Sequence, residues 1–303
     1  MITLNGERGF EQVESWDQIL ELPGFTPDLN PSQKQLKEII GRYVFREKIA
    51  CGLSTCRQPH GRGYIVTTKS GEVTNIGNVC GKKHFGVEFE EYSKVFTQAV
   101  TDHQNREAIA SFLFRMESLA EYIKRVRAEE RGADWVYLTS RALVERNHGC
   151  ADIIVSELGK MVRARSGDVR VARQASEDEA KELEVMAGRS LPRPQYIEES
   201  KGQLRGLSCL YPEFNIREIL IVDLQTNIDK LAEVDVDGLS SKELGFWSKW
   251  CQEFDQKIDR IREAVRSGRQ LLSKENLSQL VELIHDPKQR SEFKKWLGQE
   301  LPK

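Results

Sequence analysis

Cys51, Cys56, Cys80 and His84 fall in the pattern C-x4-C-x23-C-x3-H, which constrains the first third of this 303-residue chain more tightly than any other feature. The segment ACGLSTCR contains Gly and Ser and can fold back as a knuckle, turning two thiolates toward one ion. NVCGKKHFG predicts the start of a helix, on which Cys80 and His84 stand at i and i+4, one turn apart on one face. Three sulfurs and one imidazole complete the tetrahedral shell that zinc takes in structural sites. A lone Cys is most often a small buried hydrophobe and a lone His a hydrogen-bonded one. Half of the six Cys and two of the five His, however, gather within these 34 residues. His60 follows Cys56 at the same i+4 offset and is a rival ligand. A fifth donor exceeds a tetrahedral shell, so His60 is expected to bond a neighbour or a phosphate. Zinc is the expected cofactor.

Between the ligand pairs, Tyr64 to Thr68 are aromatic or β-branched, Lys69 to Glu72 hold a Ser-Gly turn, and Val73 to Ile76 return as a second strand. Knuckle, hairpin, then a helix whose first turn carries the last two ligands is an order that resembles a treble-clef zinc finger over residues 48–90. The knuckle is C-x4-C rather than the commoner C-x2-C. Treble clefs serve nucleic-acid binding, protein binding and sometimes catalysis, so the resemblance implies a scaffold rather than one activity.

The remaining sequence is read as mainly helical. Phe89, Tyr92, Phe96, Ala99 and His103 step by three and four, and Ile109, Phe112, Met116, Leu119, Ile123 and Val126 resume that rhythm. They predict a long helix over 88–128, kinked near 102–106 and either continuous with the Cys80 helix or separated from it at Gly86. Leu244, Trp247, Cys251, Phe254, Ile258, Ile261 and Val265 alternate three and four over three heptads, as at a coiled-coil seam. This stripe packs on another helix of the chain, in an antiparallel bundle or hairpin, or pairs with a second copy. Shorter helices are predicted from Ser32 through SQKQLKEIIGRYVF, over 133–147, from Ser176 with Glu179 as a capping box, and in two segments around Pro287. GRSLPRPQYIEESKG reads as a linker, with a boundary near residue 195. The expected divisions are an N-terminal helical segment over 1–47, the zinc module over 48–90, a helical region with a basic hairpin-like segment over 91–190, and a C-terminal helical domain over 196–303.

A net charge of -2 hides a local imbalance. Residues 41–87 hold eight Lys and Arg against two Glu, a net of +6, so the remainder is about -8. Arg57, Arg62, Lys69, Lys82 and Lys83 belong to this basic stretch. Lys82 and Lys83 sit on the first helical turn, where backbone N–H groups also favour anions. A second basic segment, KMVRARSGDVRVARQ, carries Arg163, Arg165, Arg170 and Arg173 and reads as two extended arms about a Ser166-Gly167-Asp168 turn. The acidic EDEAKELE follows at once, so these arginines either line a phosphate groove or neutralise their neighbour.

Cys150, Cys209 and Cys251 share no ligand spacing and are expected to be buried. No apolar run reaches the roughly 18 residues of a membrane span, and MITLNGERGFEQVE does not read as a secretory signal. Clustered Cys with metal spacing fits a reducing compartment, and a cytoplasmic location is expected. Phosphate loops, dinucleotide fingerprints and zinc-protease or deaminase motifs are absent. A metal closed by four protein ligands has no open position for substrate, which marks a structural site. The leading expectation is a nucleic-acid-binding protein, DNA or RNA, whose basic module contacts phosphates. Its alternative is a zinc-stabilised adaptor that binds protein partners.

Overall fold

The computed structural model describes residues 2–301 apart from 7, 8, 147 and 149. The chain is mainly α, and it forms two compact units, Met1–Phe112 with Asp235–Cys251, and Leu113–Val234 with Gln252–Lys303.

The first unit holds a five-stranded antiparallel sheet of β1 (Ile2–Gly6), β2 (Gly9–Val13), β3 (Leu36–Ile49), β4 (His60–Thr68) and β5 (Val73–Ile76), in the order β2-β1-β3-β4-β5. A single helical turn, α1 (Asp17–Leu20), follows β2. One sheet face carries Val66 and Ile76 and packs with Phe85, Phe89, Phe96 and Val100 of α2 (Asn78–Ala128). The other face carries Tyr43, Ile65 and Ile2 and is covered by Ile19, Trp16 and Phe25.

The hairpin forms as predicted, with Tyr64 opposite Ile76 and Thr67 opposite Val73. The helix expected from Ser32 does not: residues 36–49 are a strand, and the segment 1–47 contributes three of the five strands. The reason is visible in the register. Shifts between Leu36 and Glu38 and between Ile39 and Gly41 mark bulges that stretch the period of two. Leu36 and Ile39 therefore face the α2 side and Tyr43 the other, and these three buried residues fall at intervals of three and four, a spacing that a helix shares. Long helix α2 ends at Ala128 as expected, and it runs unbroken through 102–106. Its break is at Gly86, whose φ of 57° and ψ of -135° lie outside the helical region and suit a residue without Cβ.

The second unit is built from the later part of α2, then α3 (Ala133–Val144), α4 (Asp152–Ala164), β6 (Asp168–Gln174), α5 (Glu177–Ala187), β7 (Tyr196–Gln203), α6 (Thr226–Ala232), the later part of α7 (Ser241–Leu271), α8 (Lys274–Ser278) and α9 (Pro287–Glu300). A nine-residue π-helical stretch, Arg217–Gln225, leads into α6. The basic segment is not a hairpin on Ser166-Gly167-Asp168, because Lys160 and Arg163 lie in α4. Strand β6 pairs instead with β7, Asp168 opposite Gln203 and Gln174 opposite Tyr196, so the second half of the sequence read as a linker, from Tyr196, is a strand. The Ser176 capping box forms: Glu179 N–H donates to Ser176 Oγ at 3.3 Å and Ser176 N–H to Glu179 Oε2 at 2.8 Å.

The heptad stripe of α7 is buried along its whole length, from Leu244 to Val265, within a single copy of the chain. Its helix runs parallel to α2, contrary to the expected antiparallel arrangement. In the second unit Arg115 contacts Asp255 at 3.2 Å, Arg262 donates to Tyr122 Oη at 2.7 Å, and Arg269 contacts Glu129 at 2.6 Å, each pair 140 residues apart. Both members advance by seven in the same direction. In the first unit Ser241 donates to Asp102 at 2.6 Å and Phe112 meets Trp250 edge-on at 5.3 Å, in the same sense. No described helix is long and apolar enough to cross a membrane.

Candidate metal centre and adjoining basic surface

The knuckle is set by hydrogen bonds that the loop makes to its surroundings. Leu29 N–H donates to Gly52 O at 2.8 Å and Ser54 N–H to Leu29 O at 2.9 Å, while Gly52 N–H reaches Asn75 O on β5 at 2.8 Å. A Cβ on Gly52 would lie 2.1 Å from Thr74 Oγ1, so only glycine lets the backbone approach the strand this closely. The turn closes with Cys56 and Arg57 N–H donating to Leu53 O at 3.0 and 3.2 Å. Leu53 is fully buried and anchors it in the helix-side core.

These contacts deliver Cys51 and Cys56 to the first turn of α2, where Cys80 waits. The three sulfurs lie within 4.8 Å of one another, with Cys80 Sγ to Cys56 Sγ at 3.0 Å. Sulfurs around a tetrahedral zinc with Zn–S near 2.3 Å stand roughly 3.8 Å apart, so the three sulfurs are close enough together to hold one metal ion once the Cys56–Cys80 pair opens from 3.0 Å. The Cys80 thiol donates to Cys56, and this bond holds the Cys56 thiol below its ordinary value. Burial, then the same bond, pushes Cys80 up to about 12. Burial also raises Cys51. A metal would replace the shared proton, because thiolates are the ligand form.

His84 stands on the same short helical segment before Gly86 and is half-buried, but its ring nitrogens lie outside the group of three sulfurs. His60 is committed elsewhere. Its Nδ1–H donates to Gln58 O at 3.1 Å, and its Nε2 accepts from the Tyr43 hydroxyl at 2.5 Å. Asn75 Nδ2 donates to the same hydroxyl at 3.2 Å and to Ala50 O at 2.9 Å, tying the network to the corner before Cys51. Burial raises the Tyr43 hydroxyl far above its ordinary value, so it stays a donor. His60 therefore braces the knuckle from behind.

The predicted cations of this unit separate into paired and open groups. Arg57 meets Asp28 at 2.7 Å, Lys82 meets Glu90 at 2.6 Å, and Lys69 donates to Gln35 at 3.0 Å. Arg62 and Lys83 are exposed, with no ion-pair or hydrogen-bond partner among the described residues. Arg62 lies opposite Val44 and Arg42 opposite Tyr64, so both arginines share the sheet face of Tyr64. An open groove of about 750 Å³ begins at Tyr64 and runs along Asn78, Lys82, Lys94, Thr97 and Gln98 of α2. Asn78 and Lys94 line this groove without having been among the predicted residues. The signal available was the polar stripe at 94, 97, 98 and 101, one face of a helix.

Arg163, Arg165, Arg170 and Arg173 lie in the other unit. Arg165 pairs with Glu213 at 2.7 Å and lies over Tyr211 at 4.8 Å. Arg170 meets Asp168 at 3.2 Å and Glu198 at 3.6 Å, and Arg173 meets Glu179 at 2.6 Å and Glu199 at 3.1 Å. Arg163 has no ion pair among the described residues and sits exposed on α4. Cys150, Cys209 and Cys251 are buried, as expected for thiols without a ligand role. Comparison of the chain with family models, with curated proteins and with solved structures found no match.

Proposed function

We propose that the first unit is a metal-stabilised nucleic-acid-binding module of treble-clef type. Cys51, Cys56 and Cys80 would hold zinc, and His84 would complete the shell from the next turn of the same helix. The metal would supply a cross-link between knuckle and helix, a structural role that leaves recognition to the surrounding side chains. The observation that carries the reading is the position of three convergent sulfurs in a unit that also exposes unpaired Arg62 and Lys83 and a groove lined by Lys82 and Lys94. Guanidinium and ammonium groups of this kind contact phosphates, which fixes the protein on the backbone with little reading of sequence. Arg57 and Lys69 would join by exchanging a neutralised partner for a phosphate. Of the second-unit arginines, Arg165, Arg170 and Arg173 already satisfy carboxylates, so only Arg163 supports the wider surface.

Fluorescence anisotropy with labelled single- and double-stranded DNA and RNA at several salt concentrations tests this. Binding should weaken steeply with salt, and Arg62→Ala/Lys83→Ala should lower the log–log slope by roughly 1.4–1.8, two phosphate contacts. Affinity no higher than that of an inert protein at low salt would reject the reading. One observation favours a protein-binding role instead: Val79, Val87 and Val95 of the same unit are 80%, 69% and 68% exposed. That reading takes over if no nucleic acid binds.

A further inference from the structure

A second basic site lies in the other unit, between α2 and α7, and none of its residues belongs to the predicted surfaces. A groove of about 600 Å³ is lined by Tyr122, Arg125 and Glu129 of α2 and by Arg262, Arg266 and Arg269 of α7, over a floor of Val126 and Val265. This volume is within the ~300–1,000 Å³ range of small-ligand sites. Four guanidinium groups face one lining carboxylate. The ring of Tyr122 organises two of them: Arg125 lies 5.2 Å from its centroid and Arg262 5.1 Å, and Arg262 Nε also donates to the Tyr122 hydroxyl. Stacking of this kind orients a guanidinium while leaving its edge N–H groups for a ligand.

The carboxylates on hand account for only part of the donor capacity. Glu129 accepts from Arg269, which also donates to Arg131 O at 2.8 Å, so Arg269 is largely satisfied. Arg262 pairs with Asp259 at 3.0 Å through Nη1, and Arg266 pairs with Glu263, one turn back on its own helix. Neither Asp259 nor Glu263 lines the groove. Arg125 is exposed and has no ion pair among the described residues. Each guanidinium carries five N–H donors in a rigid fork, so Arg125, Arg262 and Arg266 keep most of theirs unspent. Planar forks converging on one cleft match the tetrahedral oxygens of a phosphate group.

We propose that this groove binds phosphate groups, carried either by a free nucleotide or by a nucleic-acid chain. The site is independent of the metal centre and of the surface around Lys83. The experiment is calorimetric titration of the full chain with pyrophosphate, with ATP and with a labelled dT oligonucleotide, in wild type, Arg125→Ala/Arg266→Ala, Arg125→Lys/Arg266→Lys, and Arg62→Ala/Lys83→Ala. Arg266 is 72% exposed at its side chain, and the alanine pair should leave the thermal melt unchanged. For pyrophosphate or ATP, the alanine pair should weaken binding at least tenfold. The lysine pair should recover only part of that loss, because the charge is kept and the fork is not. The Arg62/Lys83 pair should leave these ligands unaffected. If only the oligonucleotide binds, and the Arg125/Arg266 pair weakens it, the phosphates belong to a chain. The proposal is overturned if none of the three probes binds, or if every one binds the Arg125/Arg266 alanine pair within threefold of wild type.

Discussion

Replacing Gly52 by alanine strikes the contact on which the knuckle depends. The new Cβ would lie 2.1 Å from Thr74 Oγ1, 2.8 Å from Asn75 Oδ1 and 3.0 Å from Asn75 O. Thr74 cannot swing away freely, since its hydroxyl donates to Thr26 O at 2.6 Å and is fully buried. Overpacking of this kind costs about 1–3 kcal/mol. The shift would also strain the Gly52 N–H bond to Asn75 O, worth about 1 kcal/mol net. Gly52→Ala should therefore destabilise the first unit by about 2–4 kcal/mol, read by urea denaturation with zinc present. Because the displaced segment carries Cys51, zinc affinity should fall at least roughly tenfold, about 1.4 kcal/mol, in a competition titration with a chromogenic chelator. Thr74→Ala removes the nearest clashing atom, so the double variant should be less damaged than the sum of the singles by about 1 kcal/mol. A Gly52→Ala protein within about 0.5 kcal/mol of wild type, with unchanged zinc affinity, would refute the account of the knuckle, since that is the range of inert surface changes.

Other outcomes follow from single contacts. Cys80→Ser should lower zinc from one ion per chain to none by elemental analysis, and His84→Ala should weaken binding without abolishing it; a full zinc complement in Cys80→Ser would remove the centre. Glu72 is held at about 2, below its ordinary 4.5, first by Lys34 and then by Ser70 and Thr68. The stability it adds is complete above pH 4.5 and is lost as pH falls through about 2. A carboxyl NMR titration of Glu72 should therefore have its midpoint near 2 and return toward 4.5 in Lys34→Ala, whereas a wild-type midpoint near 4.5 contradicts the pairing. Asn276 is fully buried, accepts from Arg205 N–H at 2.9 Å and donates to Arg205 O at 2.9 Å and Leu271 O at 3.2 Å. Asn276→Ala should cost about 1–3 kcal/mol in urea denaturation, since it leaves the buried Leu271 carbonyl without this donor and removes both bonds to the Arg205 backbone; a loss below about 0.5 kcal/mol would contradict that role.

The candidate centre was legible because metal chemistry writes itself as spacing: Cys51, Cys56 and Cys80 had to be close for any of them to matter. The hairpin at Tyr64 to Ile76 and the cap at Ser176 were legible because each is decided within a few residues. Strand β3 was not, since two bulges gave Leu36, Ile39 and Tyr43 a helical interval. Nor was β7, whose partner β6 lies beyond the intervening α5 and whose residues YIEESKGQ show no buried face to reveal a strand. Arg173 meets Glu179 of the acidic stretch that the sequence offered as its neutralising neighbour, whereas the pairings of Arg165 with Glu213 and Arg170 with Glu198 arise only in the folded chain. The direction of the α2–α7 pairing was likewise hidden, because a heptad stripe reads the same for parallel and antiparallel partners.

That parallel pairing sets a timetable for synthesis. Ile109, Phe112, Ile123 and Val126 become core residues of the finished protein, and the contacts Arg115–Asp255, Tyr122–Arg262 and Glu129–Arg269 each join residues 140 positions apart. At ~5–20 residues per second a ribosome needs roughly 7–28 s to supply that much chain. Throughout this interval the apolar stripe of α2 has been made and its cover has not. A chain stopped before residue 241 carries the stripe without α7, so truncated products should be aggregation-prone clients of chaperones, while the completed chain buries the same residues in a late, long-range step.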